Sequence, residues 1–253
     1  MDGFVLKGGV WVHPGDAENY APFQNAYLAL RKAENRLYAD ADVKSLPRLL
    51  PDRWHAAEWR KRANTADSFM NWLGNCPPNL SILDFGCGNG WFANIMAREH
   101  RVTGVDVNLT ELQQAVRCFG NERTTWCLAG IENLPASTYS VITLNAAVQY
   151  FEDLSALITT LLQKLEPDGS IHLMDSPFYS AIEKPLAKER SRLYFAGKGF
   201  PEMAGHYFHH CWDDLEPFHY RIRKKPQGKL SRSLFTGRSP FAWVSISHAQ
   251  LHP

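Results

Sequence analysis

The stretch LDFGCGNGWF, residues 83–92, decides the fold. It completes an apolar run, Ser81 to Phe85, that reads as a buried strand, and from Trp91 it opens an apolar helical pattern, WFANIMA. Glycines at 86, 88 and 90 lie between them. Such a strand-to-helix turn is where an open α/β sheet binds its ligands, and glycine lets the backbone come close to them and adopt positive φ. The dinucleotide fingerprint is GxGxxG. Here the spacing is GxGxG, the third glycine is one residue early, and Trp91 fills the place wanted for close helix packing. That counts against NAD. Asp84 makes the pattern DxGxGxG, and Asp106 ends the next predicted strand, twenty residues after Gly86. One carboxylate there can accept hydrogen bonds from both hydroxyls of a ribose. The favoured ligand is therefore a nucleoside carrying an amino acid.

Outward from the loop, strands and helices alternate. Strands are predicted at 81–85, 101–107, 124–130, 139–148 and 170–176, with helices after the first, second and fourth. This rhythm implies parallel βαβ units in a Rossmann-like, doubly wound α/β sheet. Two later segments, FHYRIRKK (218–225) and FAWVSISH (241–248), read as a C-terminal antiparallel hairpin that brings the sheet to seven strands. Residues 177–215, helical and irregular, form an insertion between strands five and six. Before the sheet, 17–40 and 53–74 carry helical periodicity and are expected to form an N-terminal helical lid within residues 1–78, packed on a core of 79–253.

Bulk properties narrow the classes. At 253 residues, with 45% hydrophobic and 21% charged residues, the chain suits one globular unit. A net charge of +1 gives no global pull toward nucleic acid. No apolar run is long enough for a bilayer, and the start, MDGFVLKGGVWVHPG, lacks a signal-peptide pattern. The five cysteines are odd in number and have no CxxC spacing, against a disulfide framework or a cysteine zinc site. A cytoplasmic protein with no membrane partner and no metal is expected.

The ordered set SILDFGCGNGWFA, VTGVDVN, AGIENLP, YSVITLNAAVQYFEDL and LEPDGSIHLMDSP resembles the successive motifs of class I S-adenosylmethionine-dependent methyltransferases, over about residues 79–176. The resemblance implies S-adenosylmethionine as cofactor. It implies that Phe85, Gly86, Gly88 and Gly90 pack against the methionine part, with Asp84 near its amino group. Asp106 would hold the ribose, Val107 would lie on the adenine, and Asn145 would face the methionine moiety. Where the family often has an aspartate for the adenine amino group this chain has Gly130, so that contact falls to Ile131 or Glu132.

The acceptor is expected near the ends of the fourth and fifth strands, where Gln149, Tyr150, Asp175 and Tyr179 lie. Tyr150 and Asp175 are candidate catalytic groups. In GHYFHHCW (205–212), His206 and His210 are four apart and share a face if the segment is helical. A histidine base, a metal site with Cys211, and plain aromatic packing all remain open; His206 is the favoured base and His210 a substrate contact. Arg31 on the predicted lid could meet the cofactor carboxylate or an anionic substrate. From 217 to the end there are seven Lys and Arg and no Asp or Glu, which keeps RNA or another polyanion as an alternative partner. A non-catalytic cofactor-binding subunit is the other alternative. The leading reading is methyl transfer to a small polar molecule.

Overall fold

The computed structural model describes residues 2–51, 53, 55–226 and 239–248. The chain opens with two short strands, β1 (Val5–Lys7) and β2 (Val10–Val12), then four helices, α1 (Pro14–Asn19), α2 (Ala21–Ala33), α3 (Asp40–Ser45) and α4 (Ala56–Leu73). The alternating part follows: β3 (Ser81–Phe85), α5 (Trp91–Met96), β4 (Arg101–Asp106), α6 (Leu109–Phe119), β5 (Thr124–Leu128), β6 (Tyr139–Asn145), α7 (Leu154–Gln163) and β7 (Leu165–Met174). The insertion holds β8 (Phe178–Tyr179), α8 (Glu183–Lys198) and β9 (His210–Cys211), and the tail holds β10 (Tyr220–Lys224) and β11 (Trp243–Ile246).

The main sheet has the order β1-β2-β5-β4-β3-β6-β7-β11-β10. From β2 to β7 all pairings are parallel; β11 joins β7, and β10 joins β11, antiparallel. The seven expected strands are present, with order reversal beside β3. Two further strands extend the sheet beyond β5. This corrects the expectation of a purely helical N-terminus: Gly8 and Gly9, both with positive φ, turn a hairpin whose second strand pairs with β5. The signal was in the sequence, where two glycines separate VLK from VWV. The other departure is at β7, which begins at Leu165 and runs through Pro167-Asp168-Gly169, read as a helix stop. The pairing with β6 shifts register between Tyr139 and Val141, and a bulge is where a strand tolerates proline and glycine.

The central strands are buried on both faces, hence their continuous apolar runs. One face carries α4, α5 and α6 through Phe69, Phe92, Leu112 and Phe119; the other carries α7 through Leu154, Leu157, Ile158 and Leu161. α6 is capped by the Asn108 side chain, which accepts from the Glu111 amide, so the chain leaves the end of β4 at a fixed angle. Gln24 on α2 accepts from the Leu109 amide at 2.6 Å. That bond ties the N-terminal helices to the carboxyl end of the sheet.

Candidate functional site

At the carboxyl ends of β3, β4 and β6 lies a cavity of about 440 Å³. The glycine loop forms its floor. Gly86, Gly88 and Gly90 all have positive φ. A side chain at Gly86 would overlap Ala147, with Cβ atoms 2.6 Å apart, so this residue must be glycine for the loop to pass under β6. Gly90 does not line the cavity; it packs the start of α5 against Trp126 and Ala115.

Three carboxyl groups gather at one end. Asp106 accepts from the Gly88 amide and from the Asn108 amide, each at 2.8 Å. It is thereby fixed in orientation with acceptor capacity left over. Asp84 accepts from the Thr143 hydroxyl at 2.7 Å through one oxygen, and its other oxygen is buried with no hydrogen-bond partner. Glu111, from the first turn of α6, lines the same end. Burial, then the Asp106 charge, push Glu111 up to about 7. Burial also dominates at Asp84, and with the charge of Asp106 it carries this group to about 7 against the Thr143 bond. Asp106 is raised by burial, against the lowering pull of its amide donors. An end built this way wants a cationic or multiply donating ligand. Asn145 adds an amide whose oxygen and nitrogen are both buried without partners. These orphaned groups, with Asp106, suit a ligand that presents an ammonium and a ribose.

The opposite wall comes from the N-terminal helices and is basic and aromatic. Arg31 on α2 donates to Glu34 and to the Tyr150 hydroxyl, each at 2.9 Å, and lies 4.6 Å over the Tyr27 ring. Arg36 pairs with Glu58, which also accepts from Arg62. Burial raises Glu58, but the Arg36 hydrogen bonds and the Arg62 charge outweigh it and hold this carboxyl at about 2. The result is a ladder, Arg31–Glu34–Arg36–Glu58–Arg62, in which three cations alternate with two anions. Trp59 donates to the Tyr38 hydroxyl at 2.8 Å and meets Trp91 edge-on at 5.4 Å. The bulk of Trp91, wrong for a dinucleotide loop, thus couples α4 to the glycine loop.

At the adenine-side position, Gly130 has a physical cause. A Cβ there would sit 2.7 Å from the Tyr20 hydroxyl. Asp16, on α1, accepts from the Gly130 amide at 2.8 Å and from the Asn133 side chain at 2.9 Å. Tyr20 lines the cavity in the space that a longer residue would occupy.

Of the residues predicted from sequence, Asp84, Phe85, Gly86, Gly88, Asp106, Val107 and Asn145 line the cavity, as do Arg31, Gln149, Tyr150 and His206. Four do not. Ile131 packs against the apolar core instead. Asp175, a candidate catalytic group, is buried away from the cavity, where it accepts from Thr65 at 2.8 Å and Ser239 at 2.9 Å and so clasps α4 to the approach of β11. Tyr179 stacks obliquely on His209, 5.6 Å between centroids. His210 hydrogen-bonds the Val148 carbonyl at 3.0 Å. The 201–206 segment is a 3-10 helix and the chain is extended by His210, so the helical spacing assumed for the two histidines does not exist. Among the described residues no group of three or more potential ligands could hold a metal. Sequence reasoning missed Tyr20, Tyr27, Arg36 and Glu111. Only Glu111 had a local signal, an acid one helical turn beyond Asp106.

The described part of the basic tail lies on the far edge strand. Arg223 donates to Ser245 and packs over Trp72, remote from the cavity lining. Lys229, Arg232 and Arg238 lie outside the described residues.

Known proteins place this architecture. Against a magnesium protoporphyrin IX methyltransferase from Synechocystis PCC 6803, the chain aligns with a TM-score of 0.55 at 16% identity, over 90% of this chain and 97% of the other. It is 27% identical over 119 residues to a malonyl-[acyl-carrier protein] O-methyltransferase of Acetivibrio thermocellus, covering 46% of this chain and 41% of that protein. It is 32% identical over 93 residues to an uncharacterised methyltransferase of Mycobacterium tuberculosis, covering 36% and 47%. The chain thus spans under half the length of these curated relatives. The model of the methyltransferase domain family matches residues 56–217, from the start of α4 through the insertion. That is more than half the chain, and the protein belongs to this methyltransferase family.

Proposed function

We propose that the protein transfers the methyl group of S-adenosylmethionine to a small, ring-sized molecule held between Arg31, Tyr150 and His206. Membership of the family makes it an enzyme of the methyltransferase class with this methyl donor. The Synechocystis neighbour holds S-adenosylhomocysteine in the same fold. The observation that carries the reading is the cavity's division into two ends. The carboxylate end, with the free oxygen of Asp84, the remaining acceptor capacity of Asp106 and the unpartnered Asn145 amide, suits the cofactor. The aromatic end, with Phe23, Tyr27, Tyr150 and His206, suits an acceptor body. Phe23 packs at 5.2 Å from His206 and 6.0 Å from Tyr150, and Tyr27 at 5.9 Å from Tyr150.

The bound donor supplies an already activated sulfonium methyl, so the chain's work is orientation and exclusion of water. Asp106 orients the ribose. Asp84 receives the ammonium. Arg31 fixes the Tyr150 hydroxyl by donating to it, which leaves that oxygen's proton to point at an acceptor atom. His206 takes the proton of an oxygen or nitrogen nucleophile. A panel of phenols, carboxylic acids and amines, followed by S-adenosylhomocysteine production, tests this. With the accepted substrate, His206→Ala should lower kcat by about 10²-fold or more, and Tyr150→Phe by less, with S-adenosylhomocysteine affinity unchanged in both. Full activity in His206→Ala removes the base assignment. Activity on RNA alone would instead favour the polyanion reading.

The carboxyl end also sets a pH dependence. Asp84 sits at about 7 without a ligand, so below that pH an incoming ammonium must displace a proton, and affinity falls. Between pH 6 and pH 8 the affinity for S-adenosylhomocysteine should rise about tenfold, the difference in ionised fraction of one such group. In Asp84→Asn the profile should be shallower, keeping only what Glu111, raised to about 7 at the same end, contributes. A wild-type affinity independent of pH over this range contradicts the assignment of Asp84 to the ammonium.

A further inference from the structure

A nucleoside with its ribose on Asp106 and its amino-acid end toward Asp84 and Asn145 has its base on the other side of Asp106. The cavity there is lined by Val107, Asn108, Ala129, Gly130 and Tyr20. Val107 and Ala129 offer apolar surface to a ring. The edge of the base needs polar partners, and most of the local ones are engaged. The Gly130 amide already donates to Asp16. The Asn108 side-chain oxygen caps α6, which leaves that amide only its nitrogen, a donor. Tyr20 stands at this edge. The backbone at Gly130 has φ −77°, open to any residue, so its missing side chain is a matter of space. A Cβ there would lie 2.7 Å from the Tyr20 hydroxyl and 2.9 Å from a carbon of its ring.

We propose that Tyr20 reads the nucleobase: its hydroxyl oxygen accepts a hydrogen bond from the exocyclic amino group of adenine. The inference rests on the cofactor reading above and assigns a residue outside the segment 56–217 that the family model matches. The N-terminal part of the chain holds Tyr20 in place by three ties. β2 pairs with β5, and the His13 amide continues the ladder by donating to the Leu128 carbonyl at 3.0 Å. The Asp16 side chain accepts from Gly130 and Asn133, while its carbonyl accepts from the Tyr20 amide at 2.9 Å. Gln24, one turn further on, accepts from the Leu109 amide. The hydroxyl is therefore positioned before the ligand arrives, which lowers the cost of binding. Its surroundings favour an amino group as well. Burial first, then the charges of Glu132 and Asp16, raise the Tyr20 hydroxyl, and those negative charges favour a donor at the edge of the base.

Calorimetry with two ligands tests it: S-adenosylhomocysteine, and its analogue with hydrogen in place of the 6-amino group. Wild type should bind the first about three- to tenfold more tightly, the worth of one hydrogen bond between neutral groups. Tyr20→Phe keeps the ring and its packing, and should bind the two ligands alike, closing a cycle that isolates the contact. Tyr20→Ala should also lose the preference. Adding Gly130→Asn to it, with an amide oxygen in the vacated space, should restore part of it. A purely structural role for Tyr20 would weaken both ligands equally in Tyr20→Phe and leave their ratio at the wild-type value, and that result overturns the proposal. So does a preference that survives in Tyr20→Phe and disappears in Glu132→Gln, since the amino group would then lie on Glu132. Wild type that binds both ligands equally well overturns the proposal and leaves the cofactor reading standing. Wild type that binds neither removes the cofactor reading, and the proposal with it.

Discussion

Asp106→Ala should weaken S-adenosylhomocysteine binding by about 10- to 150-fold, the equivalent of roughly 1.5–3 kcal/mol for hydrogen bonds to a charged group. The size follows from two losses. The ribose hydroxyls lose their carboxylate acceptor. The amides of Gly88 and Asn108, both now held by Asp106, lose their partner, so the loop that forms the cavity floor is less well ordered before binding. Asp106→Asn should cost less than Ala, because its amide oxygen can still accept from one of the two amides while its nitrogen can only donate. Calorimetric titration reads both. Equal affinity in wild type and Asp106→Ala would remove the ribose from this end of β4.

The largest effect on stability is expected at Gly90. A Cβ there would lie 2.4 Å from the Trp126 ring and 2.8 Å from the Ala115 methyl, and the backbone φ is +77°. Valine brings two penalties together: a β-branched residue at positive φ, about 1–3 kcal/mol, and overpacking of a close-packed layer, another 1–3 kcal/mol. Gly90→Val should therefore lower the thermal midpoint by about 10 °C, at 2–4 °C per kcal/mol for a chain this long. Gly197→Ala is the contrast. It lies within α8 and its Cβ meets nothing within 4 Å, so it should be neutral or stabilise by up to about 1 kcal/mol. If Gly90→Val melted with wild type, the close approach of the loop to β5 would be wrong.

What was legible in the sequence follows from how local each signal is. The strand–glycine–helix unit at 81–96 and the acid ending β4 are set by neighbouring residues, so period and spacing sufficed. The sheet order beside β3 followed from βαβ chemistry. The N-terminal hairpin had a local signal too, two glycines between short apolar runs, but its strands are three residues each and gain their stability from pairing with β5, more than a hundred residues on. Three of the acceptor-side residues, Asp175, Tyr179 and His210, lie off the cavity because one-dimensional proximity stood in for contact. Asp175 follows β7 as an acid near a ligand site should, yet Thr65 and Ser239 fold around it. His206 and His210 were paired by a helical period that the chain abandons after 206. The arginine–glutamate ladder was only half visible. Arg31 and Glu34 share a helical face, but Glu58 and Arg62 join them through Arg36 only after α4 packs beside the α2 exit.

Gly130 shows the same principle from the other side. As a departure from the family pattern it suggested a weakened adenine site. Beside Tyr20 and Asp16 it is the residue the packing requires, because the N-terminal helices occupy the space an aspartate side chain would take. The space that a side chain at this position would take is thus filled from a part of the chain the motif does not include.

The central claim is that S-adenosylmethionine lies along the glycine loop with its ribose on Asp106 and its amino-acid end toward Asp84 and Asn145. A crystal structure of the S-adenosylhomocysteine complex tests it most directly. The account predicts both ribose hydroxyls within hydrogen-bond distance of the Asp106 carboxylate, the ammonium on the Asp84 oxygen that now has no partner, and the sulfur facing Tyr150 and His206. Ligand bound in the reverse orientation, or outside this cavity, would contradict it.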